Sequence, residues 1–225
     1  MNDIIKPPLK GIIFDLDGTL YKMKWFFKPL IFFLLFPHST RLLKFLEARD
    51  YFSGIEMFNE ENLLMSISRK LAEKEKISIQ DALIWIKGSF YKAFINVMPF
   101  YRFSRPYAKE ILLELSKKQI KIAVLSDYSK VLERLNKLGY EETLFNTISS
   151  CESAGALKPH PRPFVEIADR WNINPSHILV IGDREDTDGE AAKKAGMQFI
   201  LISDKKKLPK YAKNWNDICK ILYSI

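Results

Sequence analysis

The chain has 225 residues, a mass of 26.2 kDa, 47% hydrophobic residues and a net charge of +8. That length holds one domain with an insertion or two small domains, and the apolar content is enough for a real core. The basic balance attracts anions generally, but the lysines are scattered apart from Lys205-Lys206-Lys207, no nucleic-acid module is found, and no nucleic-acid partner is expected. Cys151 and Cys219 lie far apart without metal-ligand spacing, which suggests free thiols in a reducing, cytoplasmic compartment. The first eight residues are too short and polar for a secretory signal.

The first predicted element is a buried strand near residues 10–15, carried by Gly11-Ile12-Ile13-Phe14. Asp15 and Asp17 follow at its carboxyl end, before the Gly18-Thr19 turn. Two such acids with no basic residue beside them are costly to bury unless a cation joins them. Mg²⁺, which takes oxygen ligands and bridges to phosphate, is the candidate.

A helical insertion then runs from about residue 22 to 100. Residues Glu60 to Glu75 and Ile79 to Val97 carry apolar side chains at helical spacing, among them Leu63, Leu64, Ile67, Leu71, Ile79, Leu83, Ile86 and Phe90. Before them, residues 25–36 are almost wholly apolar, with no polar residue between Pro29 and Pro37. The run is shorter than the roughly 20 residues that span a bilayer. Three placements are open for it: burial in the insertion or against the sheet, a homodimer surface, or shallow bilayer attachment helped by Lys22, Lys24, Lys28 and Arg41. So apolar an insertion would favour a substrate with an apolar tail.

Past the insertion, helices near 105–118, 129–139, 162–172, 187–195 and 213–223 alternate with strands near 120–126, 146–150, 177–182 and 198–202. This alternation predicts an α/β fold with a parallel sheet and helices on both faces. Ser126 ends the strand Lys121-Ile122-Ala123-Val124-Leu125, Lys158 precedes Pro159 in a loop, and Asp183 and Asp188 follow the strand Ile178-Leu179-Val180-Ile181-Gly182. All fall at strand ends or in the loops just after them, the edge where open α/β sheets bind ligands. Glu185 and Asp186 read as solvated acids at a helix N-terminus. Arg184 reaches either substrate or Glu185, and His38, His160 and His177 read as structural or surface residues.

The four segments, in this order, resemble the motifs of the haloacid dehalogenase-like superfamily: Asp-x-Asp-x-Thr at residues 15–19, a strand-ending hydroxyl at Ser126, the Lys-Pro element at Lys158, and Gly-Asp-x-x-x-x-Asp at residues 182–188. The likeness covers about residues 9–21 and 104–203. It implies a Rossmann-like core of residues 1–21 and 101–225 and a helical cap of residues 22–100 that covers the site. It implies Asp15 as nucleophile, forming an aspartyl-phosphate, and Asp17 as the acid and base whose backbone carbonyl also binds metal. It further implies Ser126 and Lys158 on the phosphoryl group, and Mg²⁺ held by Asp15, Asp17, Asp183 and Asp188. Dehalogenases carry an uncharged aromatic where this chain has Asp17, so the resemblance is to the phosphatases and phosphomutases. Asp127 departs from the asparagine common there, and its side chain is expected to point away from the phosphate. The implied activity is Mg²⁺-dependent hydrolysis of a small phosphomonoester. The alternatives are a phosphomutase, or a binding protein held at a membrane or in a complex by residues 25–36.

Overall fold

The computed structural model describes residues 5, 8–102, 105–205 and 212–225. Lys206 and Lys207 of the lysine run, and most of the first seven residues, lie outside them. Five strands form one parallel sheet: β1 (Gly11–Phe14), β2 (Lys121–Ser126), β3 (Thr147–Ser150), β4 (Ile178–Gly182) and β5 (Gln198–Leu201), in the order β3-β2-β1-β4-β5. The three central strands read as continuous apolar runs because both their faces are covered. Every residue of β1 and β4 is buried, as is β2 beyond Lys121. The register sets Phe14 opposite both Val124 and Ile181, and Asp15 N–H donates to the Ile181 carbonyl at 2.9 Å. The carboxyl ends of β1, β2 and β4 therefore share one edge.

Between β1 and β2 the chain builds a helical layer: α1 (Phe27–Leu34), α2 (Ser39–Asp50), α3 (Glu60–Glu75) and α4 (Ile79–Ile84), which continues through a π turn at Trp85–Phe90 into α5 (Tyr91–Val97). The side chains of Asn59 and Ser78 accept from the N–H groups of Asn62 (2.8 Å) and Asp81 (3.0 Å), satisfying first-turn donors that a helix leaves unpaired. Leu63, Leu64, Ile67 and Leu71 are buried as their spacing predicts, and so are Ile86 and Phe90. Ile79 is exposed and Leu83 only half-buried. The π turn adds a residue to the helical repeat, so these two drift off the face that Ile86 and Phe90 bury.

The apolar run at 25–36 is split between core and surface. Ile31 and Leu35 are buried, and Phe26, Phe27, Leu30 and Phe32 pack partly against the core. Trp25, Phe33 and Phe36 are 87%, 76% and 79% exposed. Among the described residues no single helix is long and apolar enough to cross a membrane, and α1 and α2 meet at a bend of 116°.

The rest of the chain supplies α6 (Ala108–Lys117), α7 (Val131–Leu138), α8 (Arg162–Trp171), α9 (Glu190–Lys194) and α10 (Trp215–Ser224). The first three pack on β2, α9 packs on β5, and α10 packs on α6.

The loop between α2 and α3 is stitched to the loop that carries Lys158. Gly54 N–H donates to the Leu157 carbonyl (3.2 Å), Met57 N–H to the Gly155 carbonyl (2.7 Å), and the Ser53 hydroxyl to the Lys158 carbonyl (2.7 Å). Beneath this seam lies a buried polar cluster. Glu152, fully buried, accepts from Arg49 of α2, from the Tyr91 hydroxyl of α5, and from Ser129 N–H at 2.8 Å. Arg49 also donates to the Asp127 carbonyl and stacks 4.0 Å from the Tyr128 ring centroid. The helical layer is thus tied to the sheet by charge-assisted hydrogen bonds next to the site.

Candidate active site

Asp15 leaves the end of β1 and is buried. Its Oδ1 accepts from Lys158 Nζ at 2.7 Å, while its Oδ2 is buried without a partner. Lys158 Nζ also donates to the Leu125 carbonyl at 3.0 Å and lies 2.7 Å from Asp188 Oδ1. Burial works against the ammonium, but Asp15 and Asp188 outweigh it, and the Lys158 pKa is raised well above the ordinary lysine value. Asp127, the expected outward-pointing residue, is turned to this loop: its Oδ1 accepts from Lys158 N–H at 3.1 Å.

Asp183 and Asp188 come from the turn that follows β4. Asp188 is buried, and its Oδ2 accepts from Arg184 N–H at 3.2 Å. It seats there because Gly182 lacks a side chain: a Cβ would fall 2.4 Å from Asp188 Cγ. Gly18 plays the same part for Asp183, at a φ of +97° that disfavours other residues; a Cβ would lie 2.2 Å from Asp183 Oδ2.

One carboxylate oxygen from each of Asp15, Asp183 and Asp188 lies within 4.8 Å of the others. Burial pushes the Asp15 carboxyl well above the usual carboxylate range; Lys158 opposes the shift, and Asp188, Asp183 and Asp17 add to it. Asp188 is raised by burial against the pull of Lys158. Asp183 reaches solvent yet is enclosed on most sides by the cleft; that enclosure, with Asp188, pushes its carboxyl up to about 7. Three carboxylates against one ammonium leave two negative charges and an unpartnered Oδ2. The set fits a divalent cation that takes oxygen ligands.

The Asp17 side chain is not one of the three. Its Oδ1 accepts from the Tyr21 hydroxyl at 2.7 Å; its Oδ2 accepts from the Ser126 hydroxyl at 2.7 Å and from Arg134 Nη2 at 2.8 Å. Ser126, fully buried, is thereby engaged with Asp17, and its oxygen also accepts from Arg134 Nη2 at 2.9 Å and Tyr128 N–H at 3.1 Å. Burial raises the Tyr21 hydroxyl well above its usual pKa, and Asp17 adds to the rise. Arg134, from α7, is wholly buried; its Nε and Nη1 have no hydrogen-bond partner, and its guanidinium lies 4.4 Å from the Phe94 ring centroid.

Tyr21 and Arg134 escape sequence reasoning. Arg134 shares the buried face of α7 with Val131, Leu135 and Leu138, and that spacing is the one signal of it. Arg184 pairs with Asp186, at 3.1 Å through Nε and 2.6 Å through Nη2. His160 accepts from Arg162 N–H at 3.2 Å and has no part in the carboxylate set.

The family model for haloacid dehalogenase-like hydrolases matches residues 9–196. A glyceraldehyde 3-phosphate phosphatase from Methanocaldococcus jannaschii is 26% identical over 206 residues, which are 86% of this chain and 85% of that protein. Haloacid dehalogenase-like hydrolase domain-containing protein 3 from Xenopus laevis is 32% identical over 100 residues, 44% of this chain and 41% of that one. Among crystal structures, a β-phosphoglucomutase from Clostridium difficile superposes with a TM-score of 0.65 at 18% identity, covering 96% of this chain and 98% of its own. A 2-haloacid dehalogenase from Pseudomonas syringae gives 0.64 at 21%, covering 96% and 99%. These structural likenesses speak for the shared fold, which hosts more than one reaction. With an aspartate at position 17 and relatives named as phosphatases, the chain belongs to the haloacid dehalogenase-like hydrolases and is of their phosphatase type.

Proposed function

We propose that the chain hydrolyses a small phosphomonoester through an aspartyl-phosphate on Asp15, with Mg²⁺ as its cofactor and residues 22–100 as a cap over the core of residues 1–21 and 101–225. The observation that carries this reading is the Asp15 carboxylate itself, with one oxygen fixed by Lys158 and the other buried and free. A free oxygen is what a nucleophile needs, and its fixed partner orients it.

Mg²⁺ would be held by Asp15, Asp183 and Asp188, with the Asp17 carbonyl completing the set, and would supply positive charge that offsets the phosphate dianion. Lys158, 2.7 Å from both Asp15 and Asp188, adds its own charge, so the two anions can approach. Asp17 borders the open cavity above the site, where the leaving oxygen would emerge. It gives that oxygen a proton and later takes one from the attacking water. The incoming phosphate competes for the Ser126 hydroxyl. As Ser126 turns to it, Asp17 keeps Tyr21 on Oδ1 and Arg134 on Oδ2 but loses one donor to Oδ2, which opens a lone pair there for proton transfer.

The test is phosphate release from a panel of phosphomonoesters, with glyceraldehyde 3-phosphate as one member, for the native chain and for Asp15→Asn. Mg²⁺-dependent release that falls at least a thousandfold in the variant is expected. Equal release by both proteins would overturn the assignment of Asp15.

A further inference from the structure

A cavity of about 590 Å³ opens above Asp17. Phe27 and Ile31 of α1, Leu42 and Leu46 of α2, and Phe90 and Phe94 on the π turn and α5 form its walls. Asp17 and Tyr128 line it as well, so it is continuous with the site. Trp25 borders it too and is 87% exposed. Apolar side chains therefore make up most of the wall. Met23, Lys24, Lys28 and Arg184 complete the lining, which makes Asp17 the one acid in it among the described residues.

A compact polar phosphomonoester would leave most of this space to water against aromatic and aliphatic side chains, which is unfavourable. A ligand cavity of this size is usually apolar with a few placed polar groups, and buries most of its ligand. We infer that the cavity receives the apolar part of the substrate, so that the enzyme acts on amphiphilic phosphomonoesters in which an alkyl, acyl or aromatic group is joined to the phosphate. This rests on the phosphatase reading and adds the substrate class to it. The phosphate lies at Asp15, the ester oxygen at Asp17, and the chain runs between α1, α2 and α5. The covalent chemistry is the same for any member of the class. The Asp15 oxygen bonds to phosphorus as the ester P–O bond breaks, and the alcohol leaves with a proton from Asp17. Water, deprotonated by Asp17, then releases inorganic phosphate.

The experiment is a series of n-alkyl phosphates from methyl to decyl, each below its micelle concentration, assayed with the full chain and Mg²⁺. Each methylene that enters the cavity should raise kcat/KM about fourfold until the cavity is full. In Leu46→Trp, which fills the cavity from a half-exposed position of α2, the decyl-to-methyl ratio should collapse toward unity. Decyl phosphate is also presented in neutral-lipid vesicles; faster turnover there than from monomers names a bilayer as its source, and the reverse names solution. Decylphosphonate, which cannot be hydrolysed, gives a readout independent of chemistry: its binding should shift tryptophan emission to the blue, and Trp25→Phe should remove the shift. Turnover that depends on Asp15 but is flat or falling along the series, with no emission shift, overturns the inference and leaves the phosphatase intact. No turnover of any member, with a clear emission shift, overturns the phosphatase reading and keeps the apolar ligand.

Discussion

Of the arginines buried beside the site, Arg134 and Arg49 have opposite roles. Arg134 donates from Nη2 to Asp17 and Ser126, while its Nε and Nη1 are buried with no acceptor. Its charge-assisted bonds favour the fold by about 1.5–3 kcal/mol each, and the ring of Phe94 adds roughly 1–2 kcal/mol. Against them stand two unsatisfied donor nitrogens, Nε and Nη1, at about 1–3 kcal/mol each, and the desolvation of the guanidinium at several kcal/mol. The terms cancel to within a few kcal/mol. Replacing Arg134 by Met, which fills a similar volume, leaves Asp17 without its cation, but unlike Glu152 that carboxylate still reaches solvent and keeps the Tyr21 and Ser126 hydroxyls, so stability should change by no more than about 2 kcal/mol in either direction. Activity should respond differently. Asp17 would lose one of the two donors that fix its Oδ2, and a misplacement of about 1 Å costs on the order of a hundredfold in rate.

Arg49 is the internal control. Its partner Glu152 is fully buried, and removing Arg49 strands that carboxylate among the donors left by Tyr91 and Ser129. Breaking such a pair costs about 3–5 kcal/mol. Urea denaturation midpoints and steady-state kinetics, measured on the same preparations of Arg134→Met and Arg49→Met, separate the two cases. A loss of 4 kcal/mol or more in Arg134→Met with kinetics unchanged would refute the reasoning, because it would make Arg134 a structural group and leave Asp17 positioned without it.

The remaining expectations concern the acids and one glycine. Gly182→Ala places a Cβ 2.4 Å from Asp188 Cγ and must displace that carboxylate; Mg²⁺ activation should weaken about 10–100-fold, and an unchanged Mg²⁺ dependence would remove Asp188 from the metal set. The Asp183 carboxyl, at about 7 when folded against an ordinary value of 3.8, holds its proton more tightly in the folded chain. The folded state thus binds more protons between those values, so metal-free stability falls as pH rises from about 4 to about 7. The Mg²⁺-induced rise in Tm should grow across the same window, and a Tm shift that is constant with pH would count against Asp183. Gly88 lies in the π turn with nothing within 4 Å of its missing Cβ; Gly88→Ala should stabilise the chain by about 0.5–1 kcal/mol without altering kcat/KM, as read by thermal denaturation and the phosphate assay.

The central strands and the acids after them were legible because both leave local signatures. A strand covered on both faces must be apolar throughout, and carboxylates at its end with no basic residue beside them are costly to bury unless a cation joins them. The apolar run at 25–36 was legible as unusual but not as to its placement. Burial of Ile31 beside exposure of Phe33 depends on how α1 lies on α5, and residue type does not encode that. The stripe through Ile79 failed for a different reason: a π turn adds a residue that no residue type announces.

Sequence separation is not what hid the rest. Lys158 lies 143 residues from Asp15, and Arg134 lies 117 residues from Asp17, yet only the first pair was anticipated. Lys158 was anticipated through the resemblance, as the lysine of the Lys-Pro element, and its place in a loop beyond a strand, with a proline after it, suits the sheet edge where ligands bind. Arg134 stands on a helix. There the periodicity tells only which face is buried, and an arginine at the margin of that face ordinarily lays its stem on apolar surface and carries its charge to water. Arg134 has no route to water: α7 is closed in by the end of the helical layer at Phe94, so the guanidinium turns inward to Asp17. By enclosing Arg134, the inserted layer therefore fixes how the Asp17 carboxylate is held.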